Sequence, residues 1–266
     1  MSQGSLYFNG TGAYIQFASS SQLVIPTNTT PFTIECWLYP LAGDSTFFSE
    51  AFTGSGDTIA VTMGFCDGTN PDSAGRYIVL AAYNGSSWVT GAISTTQVSL
   101  NTWTHVAGVF TGSTTKIYIN GVDVTKTSNP TPATTWAVVN DNGDGWYLGR
   151  RWDTSARTYY SGHISNFRMV IGTAVYTGNF SVPTSKLDAI TNTQLLLAVD
   201  PLYIKDQSLN NFTLTSYGGA YTSQRNPFRT NWLGEGVISQ EDFNSDKNSI
   251  NSKLTWSNTN IGIIYR

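Results

Sequence analysis

Lys116-Ile117-Tyr118-Ile119-Asn120-Gly121-Val122-Asp123-Val124-Thr125 reads as a β-hairpin with a two-residue turn. Both turn residues of such a connection need a positive φ, and Asn-Gly between alternating segments is its strongest short-range signature. That turn pairs Ile119 with Val122 and Ile117 with Val124 on an apolar face. It places Tyr118 opposite Asp123 and Lys116 opposite Thr125 on a polar one. Register and hydrophobic pattern agree, which is what fixes a strand pair.

The same grammar extends in both directions. Toward the N-terminus, Trp103–Phe110 precedes the hairpin, and Phe32-Thr33-Ile34-Glu35-Cys36-Trp37-Leu38-Tyr39 alternates between Pro31 and Pro40. Phe32, Ile34, Cys36 and Leu38 share one face of that strand, and Thr33, Glu35, Trp37 and Tyr39 share the other. Shorter runs fall at Ser5–Asn9, Ala13–Phe17, Phe47–Phe52, Thr58–Met63, Arg76–Ala82 and Trp88–Ile93. Beyond the hairpin they resume at Gly145–Gly149, Tyr160–Ile171, Gln194–Val199 and Asn211–Thr215. Alternation breaks between Ile164 and Phe167, which predicts a bulge. Helical periodicity is nearly absent. Short strands with turns every ten residues or so predict an all-β sandwich or barrel.

Composition narrows the function. Of 266 residues only 12 % are charged, against about a quarter in an average protein. The formal charge is −3, without the basic excess that a duplex-binding surface carries. No run approaches the roughly 18 apolar residues of a membrane span, and Met1–Leu6 lacks the basic and apolar regions of a signal peptide. Four Glu (Glu35, Glu50, Glu235, Glu241), two His (His105, His163) and two Cys (Cys36, Cys66) leave little material for acid–base or metal chemistry. Cys36 sits in an apolar strand pattern and reads as a small core residue, and a bond to Cys66 is left open. After about Tyr221 the chain turns polar and loses periodicity, so residues 1–221 are read as one domain and 222–266 as an extended arm.

Several segments together resemble the laminin G-like jelly roll of the concanavalin A-like lectin superfamily. Ser5-Leu6-Tyr7-Phe8-Asn9-Gly10 with Tyr14-Ile15 is similar to its first strand, and Phe32–Tyr39 to its FTIE-W-Y strand. Trp103-Thr104-His105-Val106-Ala107 with the hairpin resembles its W-H-VA…IYING pair, and Tyr160–Arg168 its GYISNFRI strand. Gly172-Thr173-Ala174-Val175-Tyr176 through Phe180, Pro183 and Leu187 to Ile190–Leu197 is similar to domains of marine and cyanobacterial phage structural proteins. The resemblance covers residues 1 to about 220. It implies two antiparallel sheets with loops at the rim, binding of glycans or proteins, a rim Ca²⁺ in some members and glycosidase activity in others.

The residues decide between these. A glycosidase needs two carboxylates flanking the scissile bond. The E-x-D-x-x-E spacing of the superfamily's β-glucanases does not occur here, and Glu35, Glu50 and the Glu241-Asp242 pair stand apart. His105 and His163 lack a nucleophile context such as G-x-S-x-G and read as structural. Asn140-Asp141-Asn142-Gly143-Asp144-Gly145 opens like an EF-hand loop, but its twelfth position is Arg151 instead of Glu. Asp141 and Asp144 are therefore retained only as candidate rim Ca²⁺ ligands, against a plain Asn/Asp/Gly turn. Arg151, Trp152, Asp153 and Tyr159, in an aromatic and polar loop beside the Trp146 strand, are the candidate glycan contacts.

The expectation is an all-β, two-sheet antiparallel jelly-roll sandwich with a C-terminal extended arm. The first function expected is a non-enzymatic phage virion surface protein, capsid decoration or fibre, assembling through its arm with other virion proteins as a homo-oligomer, a trimer by family context. A glycan-binding receptor adhesin recognising a host-surface glycan is the alternative, and a polysaccharide-cleaving enzyme the weaker one. No resident cofactor, nucleic-acid partner or membrane insertion is expected.

Overall fold

The computed structural model describes residues 4–18, 20–50, 60–70, 73–83, 88–128, 131–136, 145–151, 159–198 and 200–228. Its elements are β1 (Ser5–Asn9), β2 (Tyr14–Phe17), a 3₁₀ turn (Ser21–Leu23), β3 (Phe32–Pro40), β4 (Thr46–Glu50), β5 (Ala60–Cys66), β6 (Tyr77–Tyr83) and β7 (Trp88–Gln97). They continue with β8 (Thr104–Phe110), β9 (Thr115–Ile119), β10 (Val122–Asp123), β11 (Trp146–Leu148), β12 (Ser161–Ile171), β13 (Thr193–Leu197), β14 (Leu214–Tyr217) and β15 (Tyr221–Ser223). All named pairings are antiparallel, and they make two sheets. Sheet A runs β10-β9-β8-β3-β12-β1-β15, and sheet B runs β14-β2-β11-β4-β5-β6-β7. The eleven-residue β12 is the spine of sheet A, since β1 pairs with its first half and β13 with its second.

The opening hairpin has the expected register, Val122 opposite Ile119 and Asp123 opposite Tyr118. Asn120 (φ 49°) and Gly121 (φ 77°) take the left-handed turn conformation. The expected break in β12 is also present. Its register against β3 shifts between Ser165 and Arg168, and Asn166 has φ 53°. The core lies between the sheets, where Leu6, Phe8, Ile34, Cys36, Leu38 and Ile164 of sheet A meet Ile15, Phe17, Phe48, Met63, Leu80 and Trp146 of sheet B.

The two faces read for the hairpin are not simply inside and outside: Tyr118 of the polar face is fully buried, while Val122 of the apolar face is half exposed. Residues 172–188 cross the outward face of sheet A as a strap. Tyr176 and Phe180 stack on each other (3.6 Å between centroids) and cover Ala107, Val109 and Tyr118. The strap is sewn down by backbone and side chain: the Gly172 amide donates to Pro31 O, the Phe180 amide to Gly121 O, and the Leu187 amide to Asn166 Oδ1. The strap covers Thr33 and Glu35, and Phe228 meets Trp37 edge-on at 5.8 Å, so every residue of β3 except Tyr39 is buried, whichever face it points to.

The sandwich continues past residue 221 because β15 pairs with β1, Ser5 opposite Ser223. The compact unit runs to Phe228, and residues 229–266, most of the expected arm, lie outside the described residues. Cys36 and Cys66 are both buried thiols outside any disulfide, the first in the core between the sheets and the second in a small cluster with Val79, Ala81 and Ile93. The bond left open by the sequence is therefore not formed.

Candidate functional site

The exposed end of sheet B carries an aromatic surface. Alternation sends Phe17, Ile15 and Trp146 inward and Tyr14, Gln16 and Tyr147 outward. Across the strands Tyr217 stands opposite Tyr14, and Gln16 lies between Thr215 and Tyr147. Tyr14 and Tyr217 stack at 4.7 Å with an interplanar angle of 11°. Tyr147 meets Tyr14 edge-on at 5.6 Å, and Tyr159 approaches it at 6.3 Å. The Arg150 guanidinium lies 4.7 Å from the Tyr14 and Tyr147 ring centres and 5.5 Å from that of Tyr159. A β-bridge between Arg150 and Tyr159 brings the two together, and Arg150 Nε donates to the Arg151 carbonyl at 2.8 Å. Tyr217 is 41 % exposed, while Tyr14, Tyr147, Tyr159, Arg150 and Gln16 are half-buried. Tyrosine rings on an outward face, beside an amide, a hydroxyl and a guanidinium, offer a sugar apolar area for its C–H groups and partners for its hydroxyls.

The residues expected from sequence divide. Tyr159 is in the cluster. Arg151 is buried and adjoins it through its carbonyl. Trp152 and Asp153, like the proposed calcium ligands Asp141 and Asp144, lie outside the described residues. Among the described residues no three His, Cys, Asp or Glu side chains come together as a metal site. Tyr14, Tyr147 and Tyr217 were not singled out by motif. The signal for them was strand alternation, since a tyrosine flanked by inward-facing apolar residues must face outward.

A second cluster concerns Glu35. It projects from β3 on the strap side, fully buried. Arg168 of β12 donates to its Oε1 through Nε at 2.9 Å, and His105 Nε2 and the Tyr176 hydroxyl reach its Oε2 at 3.1 and 2.7 Å. Burial alone would raise the carboxyl pKa, but the hydrogen bond from His105 and the charge of Arg168 outweigh it and hold it below the ordinary value. Burial and the adjoining carboxylate push the Tyr176 phenol far up. Arg168 also donates to the Asp188 carbonyl, so this ionised group holds both ends of the strap. The geometry is that of a clamp. His163 is likewise enclosed. It contacts Ser5 Oγ at 3.3 Å, and burial, aided by the Arg225 charge, lowers its pKa to about 3. Ser5 is itself fully buried, so the pair is closed to substrate.

Comparison with known proteins gives the same frame. The solved heptameric SAP-like pentraxin of Limulus polyphemus superposes with a TM-score of 0.53 at 16 % identity, covering 83 % of this chain and 94 % of that one. A putative carbohydrate-binding protein from Bacteroides ovatus gives 0.46 at 18 % identity, with 86 % of this chain and 62 % of that one covered. Domains LG4-5 of mouse laminin α1 give 0.44 at 14 % identity, covering 69 % and 47 %. No curated protein sequence matches. The laminin G-like profile of the concanavalin A-like lectin/glucanases superfamily matches residues 9–172, more than half of the sequence, and the chain belongs to that family.

Proposed function

We propose that this domain is a non-enzymatic glycan-binding module that contacts its ligand through Tyr14, Tyr147, Tyr159, Tyr217 and Arg150. The observation that carries the reading is the Arg150–Tyr14–Tyr217 stack, at 4.7 Å for each step, lying on a sheet face beside Gln16 and Thr215. Trp152 and Asp153 follow Arg150 in the chain and are proposed to complete the contact. The carboxylate inventory supports binding over cleavage. Glu35 is committed to Arg168, His105 and Tyr176 beneath the strap, and Glu50 is buried opposite Trp146. The test is a broad glycan array followed by titration of the best hit. Wild type should bind, and Tyr217→Ala and Arg150→Ala should each weaken binding about tenfold, while a wild type that binds no glycan overturns the reading.

The setting we propose is a phage virion surface, with residues 229–266 anchoring the sandwich to other virion proteins. The similarity of residues 172–197 to phage structural domains supports it. Particles assembled with a chain ending at Phe228 should lack the protein, and unchanged incorporation would refute this setting.

A further inference from the structure

We propose that Asn120 is a site of spontaneous chemical modification, where deamidation to aspartate and isoaspartate unmakes the hairpin turn and loosens the strap over sheet A. An asparagine followed by glycine is open to this reaction, because glycine has no Cβ to obstruct attack by its own amide nitrogen. The dipeptide occurs four times in the chain. Asn84-Gly85 and Asn142-Gly143 lie outside the described residues, so the structure compares Asn9-Gly10 with Asn120-Gly121.

The fold treats these two oppositely. The Gly10 amide, which would attack, donates to the Tyr160 carbonyl at 3.1 Å, and Asn9 Nδ2, which would leave, donates to the Gly218 carbonyl at 3.0 Å. At the hairpin neither the Gly121 amide nor Asn120 Nδ2 has a hydrogen-bond partner among the described residues. The side-chain oxygens do not separate the pair. Asn9 Oδ1 accepts from the amides of Thr11, Gly12 and Ala13, and Asn120 Oδ1 accepts from that of His105. Both asparagines are exposed. Asn9 closes a strand that β12 and β15 flank, whereas Asn120 is at the tip of a hairpin whose second strand, β10, has two residues and ends the order of sheet A. Short edge elements open locally ahead of the rest of a fold.

The chemistry needs only the chain and water. Gly121 N gives up its proton to solvent base and attacks Asn120 Cγ. A C–N bond forms, the Cγ–Nδ2 bond breaks, and ammonia leaves a five-membered succinimide. Water then opens the ring at either carbonyl, to aspartate or to isoaspartate. Isoaspartate carries an additional methylene in the main chain, and a two-residue turn that is lengthened cannot hold the register of its strands. The strap depends on that turn, since the Phe180 amide donates to Gly121 O and the Asp123 amide to Asn179 Oδ1. Conversion at Asn120 thus loosens residues 172–188, the layer over Ala107, Val109 and Tyr118.

The test is peptide mapping by mass spectrometry of the full chain, aged for weeks in warm, mildly alkaline buffer, with isoaspartate read by methyl transfer from an isoaspartyl methyltransferase. The peptide holding Asn120 should convert at least about tenfold faster than the one holding Asn9, where two further hydrogen bonds must open first. In denaturant the two rates should converge. Native hydrogen exchange in residues 173–188 should rise with the converted fraction. Asn120→Gly keeps a residue suited to positive φ and has no side-chain amide to lose, so its strap exchange should not change with age. Equal native rates at Asn9 and Asn120 overturn the proposal. So does a difference that persists in denaturant, or conversion at Asn120 that leaves strap exchange unmoved.

Discussion

Arg168 and Glu35 stand directly opposite each other in the β12–β3 pair and are joined by a 2.9 Å bond from Nε to Oε1 on the buried outer face of sheet A. Register placed the two side chains on that face, and the strap then removed them from water. Removing one partner of a buried pair leaves the other charge uncompensated and costs about 3–5 kcal/mol. Glu35→Gln is therefore expected to lower unfolding stability by roughly that amount in urea titration. Hydrogen exchange in residues 173–188 should rise with it. Exchange confined to global unfolding, with no local change in the strap, would contradict the clamp.

The aromatic surface separates binding from stability. Tyr14 contacts both Arg150 and Tyr217, so Tyr14→Ala removes a cation–π contact and a stacked pair, each worth about 1 kcal/mol. It should lower both the melting temperature and glycan affinity. Tyr217→Ala, at the exposed edge, should weaken binding with little change in melting temperature. Equal thermal losses in the two variants would argue for a packing ladder with no binding role.

His163 makes stability depend on pH. Its folded pKa, near 3, is below the ordinary histidine value of 6.5, so the unfolded chain binds a proton that the folded chain excludes. Its contribution is fully present above about pH 6.5 and is lost as the pH falls toward 3, with a slope of up to about 1.4 kcal/mol per pH unit. His163→Gln should flatten the pH–stability curve across that window. A curve of unchanged steepness would assign the acid sensitivity elsewhere, with the depressed carboxyl of Glu35 the next group to test, since its contribution is lost below the ordinary carboxylate range.

Gly121 links the hairpin to the strap. Its φ is 77°, and a Cβ there would sit 2.0 Å from the Phe180 carbonyl oxygen. Gly121→Ala should cost about 1–2 kcal/mol from the left-handed conformation alone. The clash adds to that cost, and strap exchange should rise as it does for Glu35→Gln. A neutral substitution would show that the hairpin and strap are not coupled.

Cys36 and Cys66 are the only cysteines, and both are buried and outside any disulfide. Burial raises the Cys36 thiol well above its ordinary pKa, with the Glu35 charge adding to the effect, which suppresses the reactive thiolate. A thiol reagent should titrate two groups in denaturant and neither quickly in the native protein, and reducing agent should leave the melting temperature unchanged.

The strands, the Asn120-Gly121 turn and the bulge near Asn166 were legible because each leaves a local signature: alternation, a positive-φ dipeptide, or a break in period. The covering of sheet A was not. Gly172–Asp188 has no periodicity, and Tyr118 and Glu35 carry the polar pattern of an exposed face although long-range contacts bury them. The candidate site was half legible. Tyr159 stood out in a polar loop, whereas Tyr14, Tyr147 and Tyr217 lie on three strands far apart in sequence and meet only through the strand order of sheet B. The edge strand β15 was missed because three residues are too few to show a period.

The pairing of β1 with β15 puts Ser5 directly across from Ser223. The polypeptide thus enters and leaves this sandwich at neighbouring points, as a plug-in module does. Such a unit can be spliced into a loop of a host protein without prying the host apart, or its two ends can be joined and new ones opened elsewhere. A short linker across that gap, with fresh ends cut at a turn such as Thr111–Thr114, where Ser113 is exposed, should yield a permuted chain that folds to the same two sheets.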